Sequence, residues 1–263
     1  MEGVNGVVLK EHVDPARKEY DIARQWMLAE VNAAIEGLVR AGAKEVVVND
    51  SHNAMANIAV DRLHPAASLV TGPSKPFSMM QDMDDSFDAA LFVGYHAKFG
   101  TPLAVHDHIF SYSILKSVRI NDYSVGEFGL NAGLAGYFGV PVIMVTGDQA
   151  IAAEAKSLIP EIETVVVKEG RGRYAAACRP FQQSIAMIGE AAQRALQNLT
   201  DKQPFRLNAA PTLAITFQKA ELADKVSLVP HVSRTDAFTI LYKAKDFRDL
   251  YRMFLVLYRL ATA

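Results

Sequence analysis

Cysteine is nearly absent. Cys178 is the only one in 263 residues, so no internal disulfide can form and packing must hold the fold. Basic residues show no surplus: Lys plus Arg is 27 against 29 Asp plus Glu, a net charge of −2. That balance lacks the electrostatic footprint of a nucleic-acid binder. No long apolar run is free of interruptions. The longest uncharged stretch, 128–147, carries Asn131, Pro141 and five glycines, and reads as a soluble helix, a turn and a buried strand rather than a membrane span. The opening Met1-Glu2-Gly3 has neither the basic segment nor the apolar core of a secretory leader, so a cytoplasmic protein is expected.

Half of the residues are apolar and 21% are charged, a globular composition. The length suits one large domain or a large and a small one. Asp14 followed by Pro15 reads as the start of a long helix, with Ile22, Trp26, Ala29 and Ala33 as its apolar stripe and Gly42 as its stop. Residues 45–50 are short, β-branched and polar at the exit, as a buried strand is, and 88–94 repeat the pattern. A hairpin turning at Asn121-Asp122, a helix over 126–137, a strand over 141–147 and a helix over 148–158 follow. Next come a strand over 164–168 and a helix over 180–199. Gly170-Arg171-Gly172-Arg173 is too short for a phosphate loop and reads as a flexible turn. The alternation defines the α/β class, a largely parallel sheet flanked by helices, over 1–200. The polar, proline-bearing stretch 201–210 reads as a linker to a small βαβα C-terminal region over 211–263, with strands at 212–217 and 238–243 and helices at 220–226 and 245–260.

Ligands of open α/β sheets bind beyond the carboxyl ends of the strands, so polar residues there are the first candidates. The strand ending at Asp50 runs into Ser51-His52, and the one ending at Val93 runs into Gly94-Tyr95-His96. A lone histidine at such a place more often caps a turn; two at equivalent strand ends point to a site. His106 and His108 flank Asp107, and in an extended chain both face one side. For His106 alone an incidental loop histidine is the simpler reading. Glu127 opens a predicted helix, where a glutamate also complements the helix dipole. Glu2 can equally be a solvated terminal charge. Taken together, Glu2, His52, His96 and Glu127 form an imidazole and carboxylate set suited to zinc or a similar divalent ion, and a single cysteine excludes a thiolate site.

These residues sit in stretches that resemble the M55 family of metallopeptidases, the D-aminopeptidases. The stretches are Met1-Glu2-Gly3-Val4-Asn5-Gly6, Val48-Asn49-Asp50-Ser51-His52, Leu63-His64-Pro65, Lys75-Pro76-Phe77-Ser78-Met79-Met80, Gly94-Tyr95-His96-Ala97, and Ile120-Asn121-Asp122 through Gly126-Glu127-Phe128-Gly129-Leu130-Asn131-Ala132. Val140-Pro141-Val142 and Thr146-Gly147-Asp148 continue the match, which covers most of 1–200 in order. The resemblance implies a cytoplasmic enzyme with two zinc ions that removes N-terminal D-amino acids, notably D-alanine, from short peptides. It also implies a ring-shaped homo-oligomer, a decamer, and neither a nucleic-acid nor a membrane partner. It makes Glu2, His52, His96 and Glu127 metal ligands and His108 the catalytic histidine, with His106 as the other candidate.

One departure shapes the expectations. The family motif reads Asp-x-Glu-Gly, and here Met1 stands just before Glu2, so the aspartate would fall at position zero. A strand over 46–49 also needs a neighbour on each side if it is central. An in-frame extension of about ten residues, apolar, β-branched and ending in Asp, is therefore expected upstream. Two other functions stay open: a catalytically impaired ring-forming binding or scaffold protein, and an amidohydrolase acting on small amides.

Overall fold

A computed structural model describes residues 1–207 and 210–263; Asn208 and Ala209, inside the expected linker, lie outside the described residues. In chain order the helices are α1 (Glu19–Arg40), α2 (Glu127–Tyr137), α3 (Gln149–Leu158), α4 (Phe181–Gln197), α5 (Ala220–Val226) and α6 (Phe247–Thr262). The strands are β1 (Val46–Asn49), β2 (Ala67–Val70), β3 (Ala90–Phe92), β4 (Leu115–Ile120), β5 (Tyr123–Val125), β6 (Val142–Asp148), β7 (Glu163–Gly172), β8 (Ala175–Cys178), β9 (Thr212–Phe217), β10 (Val232–Arg234) and β11 (Thr239–Lys243).

The α/β class holds, with a mixed sheet arrangement. β1 pairs with β2 in parallel, and β3, β6 and β7 run parallel in a second sheet that β8 extends antiparallel. A third sheet, in the order β10-β11-β9-β4-β5, is antiparallel throughout. The C-terminal strands therefore complete a sheet begun by the β4–β5 hairpin, which turns at Asn121 with a φ of 52° as expected of its Asn-Asp dipeptide. One apolar cluster draws side chains from both sides of 201–210, including Val118, Phe128 and Leu134 together with Leu213, Phe217, Leu250 and Phe254.

Two local expectations are corrected. Asp14 does not cap α1: its carboxylate accepts from the Ala16 N–H at 3.0 Å, closing a turn, and the helix begins at Glu19. The buried face of α1 is Tyr20, Ala23, Met27, Glu30 and Ala34, while Ile22 is 45% exposed. Two polar residues on the inner face hide it from a reading by hydropathy. Gly170-Arg171-Gly172-Arg173 is not loose either, because β7 runs through Gly172 and pairs back with β8.

α1 packs along α4, and α4 packs on β6 and β7. Among the described residues β1 has no strand partner on its other edge. A cavity of about 1430 Å³ lies there, lined by Val46–Asn49, by Leu91, Phe92 and Val93, and by Met27, Val31, Ile35 and Leu38 of α1. The same cavity reaches Glu2, His52, His96, His106, His108 and Glu127. Among the described residues no helix is long and apolar enough to cross a membrane.

Candidate metal centre

The site forms beyond the carboxyl ends of β1 and β3, where such sheets gather ligands. β1 passes through Asp50 and Ser51 into His52, β3 passes through Gly94 and Tyr95 into His96, and α2 opens on Glu127. The residues before β4 bring His106 and His108. Segment 1–7 lies against these turns. The Gly3 N–H donates to the Gly94 carbonyl at 3.0 Å, and a Cβ on Gly3 would stand 1.8 Å from the Tyr95 carbonyl oxygen. Only glycine allows that approach. It sets Glu2 Oε1 3.1 Å from His52 Nδ1.

Two groupings result. In the first, Glu2 also has the Met1 ammonium 3.1 Å from Oε2, and His52 Nε2 is buried without a partner among the described residues. In the second, His96 Nε2 and His108 Nε2 lie 3.4 Å and 3.7 Å from the same oxygen of Glu127. The two rings stack with centroids 3.9 Å apart, and the Phe110 N–H donates to that Glu127 oxygen at 2.7 Å. A carbonyl can only accept. The contacts of His96 Nδ1 with the Ala97 carbonyl (3.1 Å) and of His108 Nδ1 with the His106 carbonyl (2.7 Å) therefore place protons on Nδ1 and turn each Nε2 toward the site.

The groupings act on each other electrostatically. Burial works to raise the Glu2 carboxyl, but His52 and the Met1 ammonium outweigh it and hold the group well below the usual carboxylate range. His96 contributes to the same lowering. Burial disfavours a charged His96, yet the neighbouring Glu127 carboxylate prevails and moves that imidazole up; burial also opposes ionisation of Glu127, and His96 moves it down. Burial, then the charge of His96, lowers His108. His106 is buried edge-to-face with Tyr174, burial takes its pKa down to about 4, and its Nε2 has no partner among the described residues.

A divalent ion suits these donors. His96, His108 and Glu127 each offer a ligand atom, all within 4.8 Å of one another. Tautomers fixed through Nδ1, an unpartnered buried His52 Nε2 and nearby carboxylates make up a nitrogen and oxygen donor set of the kind zinc prefers. The structure thus gathers Glu2 with His52, and His96 with His108 and Glu127, around one cavity, with His106 beside them.

Several supporting residues lie inside the resembling stretches, yet the sequence alone assigns them no role. Asp50 accepts from the Asn57 side chain (2.8 Å) and the Ile58 N–H (2.8 Å), and Asn57 Nδ2 also donates to the His52 carbonyl at 2.7 Å. Lys75 Nζ donates to the Asp50 carbonyl at 2.6 Å. Asn131 donates to the Tyr95 hydroxyl and accepts from Tyr251, both at 2.8 Å. The available signal was polarity out of place: Asn131 inside an apolar helix, and Lys168 directly after Val165-Val166-Val167.

An α/β scaffold with buried imidazoles and carboxylates at its strand ends is the setting of a candidate divalent-metal centre. The chain belongs to the D-aminopeptidase family, peptidase M55, whose model matches residues 1–256. It is 40% identical over 265 residues to the D-aminopeptidase of Bacillus subtilis (strain 168), an alignment covering 99% of this chain and 95% of that protein. Its fold is similar to the solved structure of the Zn-dependent D-aminopeptidase DppA from Bacillus subtilis, a self-compartmentalizing protease. The TM-score is 0.96 at 39% identity, over 100% of this chain and 95% of that one.

Proposed function

We infer that this protein is a zinc-dependent D-aminopeptidase that releases N-terminal D-amino acids, D-alanine above all, from short peptides. The observation that carries this reading is the gathering of Glu2, His52, His96 and Glu127 at one cavity in a chain of the D-aminopeptidase family. In this reading the four residues hold two zinc ions. When bound, zinc polarises the scissile carbonyl and lowers the pKa of a water toward neutrality. His108 handles the proton. Its Nδ1–H is held by the His106 carbonyl and its pKa is lowered, so Nε2 is an open base at neutral pH. The free amine that an aminopeptidase must recognise is received by a metal or a carboxylate.

The subunit is read as part of a ring-shaped homo-oligomer, a decamer, in the cytoplasm. Support comes from the solved relative's description as self-compartmentalizing. Light scattering of the purified protein gives the mass that tests the assembly.

Two variants test the roles. His108→Ala is expected to lose about 10²–10⁴-fold in hydrolysis of D-alanyl peptides with its metal content unchanged. His96→Ala is expected to lose metal as well. A fully active His108→Ala beside a dead His106→Ala transfers the proton role to His106. A protein that takes up no metal and cleaves nothing in added zinc is a binding scaffold instead. One that prefers simple amides to D-alanyl peptides is an amidohydrolase.

A further inference from the structure

Lys168 sits in β7, fully buried, far in sequence from every residue of the site. An ammonium has three N–H donors. Nζ donates to three main-chain carbonyls of one short segment: Glu2 at 2.5 Å, Val4 at 2.9 Å, and Val7. The segment is held from two other directions as well. The Asn5 N–H donates to Glu30 Oε1 of α1 at 2.8 Å. The Asn5 side chain donates to the Arg179 carbonyl and to Ser184 Oγ, both at 2.9 Å. Residues 1–7 contain no helix or strand, so these contacts, with Gly3 against the turn after β3, define where Glu2 stands.

A buried ammonium costs stability, and an apolar side chain of similar volume would serve a core at least as well. Three carbonyls converging on one nitrogen provide what an apolar side chain cannot: they fix the path of the backbone on both sides of Asn5, within a residue of the Glu2 carboxylate. We propose that Lys168 is a positioning residue for the metal centre, holding segment 2–7 so that the Glu2 carboxylate is presented to zinc in advance of binding. This rests on the reading of Glu2 as a ligand. Neither Lys168 nor Asn5 is among the residues read as ligands. Each acts through the backbone that carries Glu2, as outer-shell partners do when they orient a ligand.

The test measures zinc affinity by chelator competition on the full chain, together with hydrogen exchange of the amides of residues 3–8. Lys168→Met is expected to weaken zinc binding about 10–100-fold and to deprotect those amides while β6 stays protected. Saturating zinc should restore most of its hydrolytic activity. Ile188→Ala, in the core between α4 and the sheet, serves as a control of comparable destabilisation and should bind zinc as the parent does. Asn5→Ala loosens the same segment from the other side and keeps the question answerable if Lys168→Met does not fold; a smaller loss of zinc affinity in the same direction is expected. Glu2→Gln separates the two levels of inference. If Glu2→Gln weakens zinc binding while Lys168→Met and Asn5→Ala bind like the parent or like Ile188→Ala, the positioning role is overturned and the ligand reading stands. If Glu2→Gln binds zinc like the parent, both are overturned.

Discussion

Glu30 lies on the inner face of α1 with one carboxylate oxygen on the Asn5 N–H and the other buried without a partner. Burial raises this carboxyl from 4.5 to about 7, against the opposing pull of the Asn5 hydrogen bond, Lys168 and the Met1 ammonium. Between those two values the folded protein holds a proton that the unfolded chain releases. Its contribution to stability is therefore complete below about pH 4.5 and is lost as pH rises through about 7. Glu30→Gln keeps an oxygen for Asn5 and removes the titration. The variant is expected to gain stability relative to the parent as pH rises, and to be the more stable of the two at pH 8, as urea midpoints across the range would register. Gly3 gives the opposite kind of residue effect. With a Cβ 1.8 Å from the Tyr95 carbonyl, Gly3→Ala must push segment 1–7 off the turn after β3. Weaker zinc binding and a lower melting temperature are expected together, and an alanine variant with parental values of both would contradict the close approach.

At the scale of elements, Asp148 ends β6 and caps α3. One carboxylate oxygen accepts from the Ala150 and Ile151 N–H groups at 3.0 Å each, and the other accepts from the Val105 N–H at 2.7 Å. Asp148→Ala removes the cap and leaves a buried donor without a partner, so a loss of about 2–4 kcal/mol in unfolding free energy is expected. The parallel strands β1, β3 and β6 were legible in the sequence because each is a β-branched or apolar run with a polar exit, and the helices α2, α3 and α6 were read in their places beside such runs. The candidate site was legible for the same reason, since His52 and His96 follow such runs directly. β2, β8 and β10 were not legible. Ala67–Val70 and Ala175–Cys178 are short and weakly patterned, and become strands through the partners they meet. The antiparallel order of the third sheet was hidden too, because the pairing of β9 with β4 joins stretches some ninety residues apart in sequence.

For the whole molecule, the question is whether 211–263 forms a unit of its own. β9 is the central strand of the antiparallel sheet, with β11 on one side and β4 on the other. Removing the C-terminal region strips β4 of one neighbour and uncovers Val118, Ile120, Phe128 and Leu130, which share a cluster with Leu213, Ile215, Phe217, Leu250 and Phe254. α6 also reaches the surroundings of the site. Tyr251 donates to Asn131, Asn131 donates to Tyr95, and Tyr95 directly precedes His96. On the far end of α6, Arg259 donates to the Lys75 carbonyl at 3.0 Å, and Lys75 in turn holds the Asp50 carbonyl beside His52. The C-terminal region thus supports the turns that carry both histidines, so the two regions are expected to unfold as one cooperative unit rather than as two. A single unfolding transition is expected for the full chain, with fluorescence and hydrogen exchange in β4 and β11 following the same denaturant curve. Residues 1–210 expressed alone should be insoluble or molten, and 211–263 alone should be unstructured. Co-expression of the two pieces should restore both solubility and zinc binding. Two separable transitions, or a folded 1–210 piece that binds zinc like the full chain, would show that the core divides at the polar stretch and that α6 plays no part in shaping the metal centre.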